Sequence, residues 1–232
     1  MKKIILTVFA TLLISSSAVA GGFTIGATGA LMNIEADGSE KEVGTATKAL
    51  SDSETNTGSA SNDAVPILSF FAEYSFDDTT YAGENNGFTI GYSMIPGSAD
   101  IRDGVAKRTD VDGDDAADDD GARSAQAEIE NHRNIYVEIP IYTGWYAKLG
   151  HTTVDVNTLE GSDGDLGTYG NAEVDGLNAG IGYKGMTSGN MVWKVAYEQT
   201  DFDTISLTSS TGNSITADVD TAELNVSIGY RF

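Results

Sequence analysis

Apolar and polar residues alternate with a period of two along most of the chain. In the closing stretch, LNVSIGYRF, every second residue from Leu224 to Phe232 is apolar or aromatic, and the residues between them are polar or glycine. A period of two sends successive side chains to opposite faces of a β-strand. The pattern predicts a strand with one apolar and one polar face that reaches residue 232.

Eight segments of this kind are predicted. They are residues 23–34, 65–76, 87–94, 134–141, 145–154, 173–185, 191–207 and 215–232. The connections between them alternate between long and short, which is typical of a barrel with long loops at one end and brief turns at the other. The predicted fold class is all-β, an eight-stranded antiparallel up-and-down transmembrane β-barrel with long external loops.

The register of the fourth and fifth strands follows from the parity of their apolar residues. A two-residue turn would place Glu138 opposite Leu149 and mix the two faces. A three-residue loop, 142–144, with Gly144 in the left-handed conformation, keeps the faces apart. The expected pairs are Ile141 with Trp145, Ile139 with Ala147 and Glu138 with Lys148.

The apolar face is expected to meet lipid and the polar face to line the interior. The polar parity carries seven charged residues, which would be costly in a sandwich core but form an ion-pair network inside a barrel. They are Glu73, Glu138, Lys148, Lys194, Glu198, Glu223 and Arg231. Aromatic residues stand near the ends of the apolar strips, as in an interfacial girdle. Eight strands enclose a space that side chains fill, so we expect a packed polar interior. A secreted sandwich with its charges in water is the alternative.

The first twenty residues have the layout of a secretory signal peptide. Lys2 and Lys3 precede an apolar run, and small residues end the stretch at Ala20. The expected organisation is therefore a cleaved signal peptide, residues 1–20, followed by an outer-membrane β-barrel domain, residues 21–232. The run is too short to span a bilayer as a helix. The chain has no cysteine, so no disulfide holds the exported fold together.

The net charge of −22 is concentrated in blocks of Asp and Glu between the predicted strands. Such acidic loops disfavour nucleic acid as a partner. One block carries a run of aspartates that invites comparison with calcium loops: Asp110, Asp112, Asp114, Asp115, Asp118, Asp119 and Asp120. Asp115 stands where an EF-hand requires glycine, and no Glu follows at the twelfth position. A solvated loop is the preferred interpretation, and a weak divalent-cation site the alternative.

The two histidines, His132 and His151, are predicted near the external rim of adjacent strands. Catalysis would require such a histidine beside an orienting carboxylate, and Asp155 and Ser124 are within plausible reach. The alternation continues from Leu149 to His151, which places His151 on the lipid-facing side and argues against an active site. No catalytic residue and no cofactor is therefore predicted.

The final strand resembles a known signal. Tyr230 and Phe232 on its apolar face match the C-terminal pattern by which Gram-negative outer-membrane barrels are delivered to the assembly machinery. With the signal peptide, this makes the chain similar to small barrels of the OmpA transmembrane domain, OmpX and opacity-protein type. The resemblance covers nearly all of residues 22–232, although only its two ends are specific motifs. It implies location in the cell outer membrane.

The resulting hypothesis is an integral outer-membrane protein with a structural, surface-exposed or adhesive role and no catalytic function. Expected partners are outer-membrane lipid, lipopolysaccharide and the barrel assembly machinery, with divalent cations bridging the acidic loops to lipopolysaccharide, and we expect a monomer. Two alternatives stay open. One is a narrow or loop-gated porin-like channel, and the other is a lipid A-modifying enzyme or protease at the cell surface.

Overall fold

The computed structural model describes residues 21–41, 55–76, 87–100, 106–109, 122–125, 127–158, 169–210 and 212–232. The predicted signal peptide and the aspartate run at residues 110–120 lie outside these ranges. The twelve strands are β1 Gly22–Lys41, β2 Thr55–Ser75, β3 Thr89–Met94, β4 Ser98–Asp100, β5 Ala106–Thr109, β6 Ala122–Ala125, β7 Ala127–Tyr142, β8 Trp145–Thr158, β9 Ala172–Met186, β10 Met191–Phe202, β11 Ile205–Thr208 and β12 Ser214–Arg231. Within the described ranges, no helix has the length and apolar character needed to cross a membrane.

Eight of the strands form one closed antiparallel ring. The neighbour order is β1, β2, β3, β7, β8, β9, β10 and β12, and β12 pairs back with β1. Each ring strand pairs with the next ring strand along the chain, so the predicted up-and-down barrel is confirmed. The other four strands lie in the connections: β4 pairs with β7, β11 with β12, and β5 with β6. We call the end with residues 143–144 and 187–190 the short-turn end, and the opposite end the loop end.

The turn between β7 and β8 differs from its prediction in one detail. Ile139 pairs with Ala147 and Glu138 with Lys148, as expected. Tyr142, however, is the residue that pairs with Trp145, because the register shifts between Pro140 and Tyr142. The extra residue, which the prediction placed in a three-residue loop, is therefore accommodated by a bulge in β7. Gly144 has the expected left-handed conformation, with φ of +75°.

Large apolar side chains cover the outside of the ring in a continuous belt. The belt includes Ile25, Leu31, Leu68, Phe70, Ile90, Met94, Ile135, Ile139, Leu149, Leu177, Ile181, Val195, Leu224, Val226 and Ile228, all of them exposed. Aromatic rings in mutual contact border it at the short-turn end, in the groups Trp145–Tyr183–Trp193, Tyr74–Phe76–Phe88 and Phe23–Phe232–Tyr230. An apolar surface of this extent is unfavourable on a monomer in water, whereas a barrel in a bilayer requires it.

Above the belt, the two faces of the wall exchange their chemistry. On β1, Leu31 is the last exposed apolar residue, and the next residues of the same face include Glu35 and Asp37. On the opposite face, Met32 and Ile34 are buried. The loop-end half is therefore polar outside and apolar inside, like a soluble barrel. The predicted polar interior holds only for the short-turn half, because the outer half of the wall stands in water rather than in lipid.

Candidate functional site: the charged interior

The short-turn half of the interior is lined with charged and aromatic side chains. Glu73, Glu138, Lys148, Lys194 and Glu198 all point inward, and none is more than 9% exposed. They come from strands β2, β7, β8 and β10, where the period of two turns every second side chain inward. The predicted network residues thus meet in one place, although their strands are far apart in sequence.

Four of the interior charges form what we call the central ion-pair cluster: Glu73, Glu138, Lys184 and Lys194. The Lys184 Nζ lies 2.7 Å from Glu138 Oε2, and the Lys194 Nζ lies 2.7 Å from Glu138 Oε1. Lys194 also bridges to Glu73, and the Tyr136 hydroxyl donates to Glu73 Oε1 over 2.6 Å. The two carboxylates and the two ammonium groups have no net charge. Pairing of this kind is needed to offset the cost of removing ions from water.

A second ionic group lies beside the central cluster. The Lys148 Nζ is 2.9 Å from Glu198 Oε1 and 2.7 Å from Oε2. It also stands 4.0 Å from the centre of the Tyr136 ring, a cation–π contact. Glu223 is the cross-strand partner of Glu198 and faces the same space. Tyr136 thus connects the two groups, since its hydroxyl bonds to Glu73 of the central cluster.

Tyrosine rings fill the space between the charges because glycines make room for them. Tyr146 is 2% exposed. A Cβ added at Gly182 would lie 2.4 Å from the Tyr146 ring. Gly91 stands in the same relation to Tyr136, at 2.3 Å. An added Cβ would collide with the ring at either position, so Gly91 and Gly182 are packing residues.

The structure pairs the interior charges differently from the sequence expectation. Glu138 and Lys148 are cross-strand neighbours, but Glu138 bonds to Lys184 and Lys194, and Lys148 bonds to Glu198. Lys184 was missed. The alternation of β9 would have predicted an inward side chain at Lys184, because this residue lies two positions beyond the inward-facing Gly182.

The remaining predicted residues lie at the short-turn end. Arg231 is buried against Gly22. Tyr230 and Phe232 face outward and contact each other in the aromatic border. Their role as an assembly signal stays a prediction.

Carboxylates gather on the outer surface just above the belt. Asp220 of β12 is the cross-strand neighbour of Glu35 on one side and Asp201 on the other. Partial desolvation and then the nearby Asp201 and Glu35 carboxylates raise the pKa of Asp220 above its usual value. The described residues contain no group of three or more His, Asp or Glu side chains arranged to hold a metal ion.

The two histidines do not share a site. His151 lies outside, with its Nε2 3.2 Å from Asp175 Oδ1. His132 borders the interior cavities instead. Asp155 bonds to Asn131 and lies near Arg133, so it orients neither histidine. Ser124 belongs to β6, in the two-stranded sheet formed with β5.

The closed ring, the lipid-facing belt and the polar interior define the chain as a small eight-stranded outer-membrane β-barrel. No protein-family model matches the sequence, and no curated protein matches it. Among solved structures, Ail of Yersinia pestis, the attachment invasion locus protein in complex with the heparin analogue sucrose octasulfate, is 14% identical, with 89% of this chain and 99% of that chain covered and a TM-score of 0.40. OprG of Pseudomonas aeruginosa is 14% identical, with 92% and 97% covered and a TM-score of 0.46. The outer membrane protease OmpT of Escherichia coli is 10% identical, with 94% and 100% covered and a TM-score of 0.45.

Proposed function

We propose that this barrel has a structural and adhesive role at the cell surface: it anchors a protruding sheet and presents it to the surroundings, without catalysis. The observation that carries the proposal is the continuation of β1, β2 and β12 beyond the belt. β1 remains paired with both neighbours as far as Lys41. At a rise of about 3.3 Å per residue, the path from Leu31 to Lys41 is about 30 Å long. Spanning the bilayer does not require this length.

The paired charges of the interior support an anchor over a channel. The central ion-pair cluster and the Lys148–Glu198 pair occupy the short-turn half, and they are held by several contacts each. A conducting pathway would have to separate buried ions from their partners, which is strongly unfavourable. We therefore expect no open aqueous pore in the resting barrel.

The outer surface of the protruding sheet suggests the chemistry of its partners. Glu35, Asp37, Asp201, Asp218 and Asp220 face outward on neighbouring strands. A surface of this sign favours cationic partners, and it would meet the phosphates of lipopolysaccharide through bridging divalent cations. On these grounds we propose lipopolysaccharide as a partner. From the resemblance of the final strand, we propose that the assembly machinery recognises Tyr230 and Phe232, and we expect a monomeric barrel.

One contact would serve the enzymatic alternative, because it sets a histidine beside an orienting carboxylate: His151 lies against Asp175. Asp175 also accepts a hydrogen bond from the Thr153 Oγ1 over 3.0 Å. This group lies on the open outer wall rather than in a recess. We rank it below the anchoring role, since an exposed group excludes water poorly and holds a substrate weakly.

Single-cysteine labelling tests surface display without background, because the chain contains no cysteine. Gly58→Cys lies on the protruding part of β2, where an added Cβ has no atom within 4 Å, and Gly189→Cys lies in a short turn, where the nearest atom is the Thr187 Oγ1 at 3.9 Å. A membrane-impermeant maleimide should label Gly58→Cys on intact cells and Gly189→Cys only after the outer membrane is permeabilised. Equal labelling of both variants on intact cells would refute the proposed orientation.

Two further measurements separate the roles. Attaching a bulky polymer to Gly58→Cys should reduce the retention of cells on polylysine-coated and lipopolysaccharide-coated surfaces, whereas the same polymer on permeabilised Gly189→Cys cells should not. Unchanged retention would contradict an adhesive sheet. Purified wild-type protein in planar bilayers should show no single-channel steps, and regular steps would favour the porin-like alternative.

A further inference from the structure

The loop-end half of the barrel encloses an apolar chamber above the charged interior. Its core residues are Met32, Ile34, Val154, Val156, Val174, Phe202, Ile205 and Val219. The chamber is not completely filled. A recess with an empty volume of about 450 Å³, including its open mouth, lies among Met32, Ile34, Ile67, Ile95, Ile129 and Phe202. Small-molecule sites in proteins have this predominantly apolar lining.

The barrel wall is interrupted beside this recess. β3 pairs with β2 only as far as Met94, opposite Phe70. Beyond that point, the backbone N–H of Ile95 donates to the His132 carbonyl, and β4 continues along β7. Within the described ranges, no strand pairs with this edge of β2 above Phe70. The recess borders this unpaired edge, because Ile67 of β2 and Gly97 both line it, and we call the unpaired stretch between them the opening.

The sequence favours an open edge at this place. Two of the three prolines in the chain, Pro66 and Pro96, stand on its two sides. Proline has no N–H to donate to a ladder and is found on unpaired strand edges. Gly97 follows Pro96 with a φ of +99°, which turns the chain away from the extended course of β3.

The opening lies at the level where lipid ends. Leu68 and Met94 flank it, and both are exposed belt residues, 55% and 42% accessible. Immediately above them, the outer face of the wall becomes polar. An apolar chain at the loop-end boundary of the bilayer thus has a short lateral route to the recess that avoids the charged interior.

A polar group marks the inner end of the recess. His132 lines both the recess and the polar cavity beneath it. Its Nδ1 is buried and has no hydrogen-bond partner in the structure. A buried polar atom without a partner is unfavourable unless a ligand or water satisfies it.

We propose that the recess binds a single alkyl chain whose polar end group hydrogen-bonds to His132, and that the chain enters through the opening between β2 and Gly97. The apolar lining recognises the methylene groups, and the imidazole recognises a hydroxyl or carboxyl head. A free alkyl alcohol or fatty acid has this chemistry, whereas an inserted acyl tail of a neighbouring membrane lipid ends in a methyl group and would leave the His132 Nδ1 without a partner. The site lies on the inner face of the protruding sheet, since Met32 and Ile34 belong to both, but it does not depend on the proposed adhesive role.

The experiment uses the full barrel in nanodiscs made from deuterated lipid, with labelled isoleucine and methionine methyl groups, titrated with n-decanol. Saturable shifts are expected for Met32, Ile67, Ile95 and Ile129, and not for Ile139, which faces lipid on the same strand as Ile129. Ile129→Trp fills the recess and should weaken decanol binding by about tenfold or more, whereas Ile139→Trp should leave it unchanged. Ile67→Trp is a second filling variant if Ile129→Trp loses the gel shift of a folded barrel.

The lipid arm repeats the measurement in protonated lipid without decanol. Magnetisation transfer from lipid methylenes to the methyl groups of Met32 or Ile34 would identify a lipid tail as the occupant, and it would overturn the contact between a polar end group and His132. Saturable decanol shifts without such transfer would identify a free alkyl compound. The proposal is likewise overturned if decanol gives no saturable shift, if decanol shifts Ile139 as much as Ile129, or if a folded filling variant binds decanol as the wild type does.

Discussion

Removal of the Glu138 carboxylate is the sharpest test of the charged interior. Glu138 is 1% exposed and receives hydrogen bonds from Lys184 and Lys194, each over 2.7 Å. In Glu138→Gln, the two lysines retain only Glu73 as an anionic partner in the central cluster. One positive charge is then buried without compensation.

The cost follows from the burial of that charge. Breaking a buried ion pair by removing one partner lowers the free energy of unfolding by about 3–5 kcal/mol. At an m-value of about 2 kcal/mol per molar, the urea midpoint would fall by about 2 M. The glutamine keeps the size of the side chain, so a packing defect does not account for the loss.

The assay is urea unfolding of the barrel in lipid vesicles, followed by tryptophan fluorescence and by gel mobility without boiling. Glu138→Gln combined with Lys184→Gln restores the charge balance and should be less destabilised than the sum of the single variants, by roughly 0.5–3 kcal/mol. Glu173→Gln, on the exposed outer wall near Arg133, serves as the control and should change stability by less than about 0.5 kcal/mol. An unchanged midpoint for Glu138→Gln, or strict additivity with Lys184→Gln, would refute the account of the cluster.

Three further predictions concern separate parts of the barrel. Lys148→Ala should lower the urea midpoint, because it leaves the Glu198 carboxylate buried without its ammonium partner; no change would mean that water reaches this carboxylate. Gly182→Ala should lower the yield of heat-modifiable barrel, because its Cβ would collide with a buried tyrosine ring, whereas Gly29→Ala has open space and should behave as the wild type. Asp220→Asn should raise stability at neutral pH and reduce its pH dependence. The raised pKa of Asp220 means that its stabilising contribution is present at low pH and is lost as the pH rises through the folded-state pKa. Unfolding midpoints measured between acidic and neutral pH provide the check. A matched variant, Asp155→Asn, removes a carboxylate near Arg133 and should show no such gain.

Local pattern was sufficient for the wall of the barrel. The period of two predicted the eight ring strands and the outward apolar face, because alternate side chains of a strand must point to opposite sides whatever the strand packs against. It also predicted the pairing of Glu138 with Lys148 in register, since parity allows only one arrangement that keeps the faces apart. The bulge before Tyr142 escaped prediction, because a single extra residue leaves no mark on the pattern.

The sequence carries a second signal, which marks the level of the membrane. In β1, apolar residues occupy one parity as far as Leu31 and the other parity from Met32 onward. The same exchange occurs in β12 between Val219 and Leu224. A strand that passes from lipid into water must exchange its apolar face in this way, so the exchange indicates where the membrane ends and predicts the apolar chamber.

The sequence by itself determined which side chains point inward, and only the tertiary structure decided which of them meet. Lys194 reaches Glu73 across a separation of 121 positions, and Lys184 reaches Glu138 across 46. Neither pair lies on adjacent strands, so no rule of cross-strand pairing could have matched them. Their contact depends on how the ring closes, on its diameter and on the tyrosine rings that divide the interior. The opening beside β2 could not be predicted for the same reason. It depends on where the ends of β2, β3 and β4 lie relative to one another, which only the tertiary structure shows.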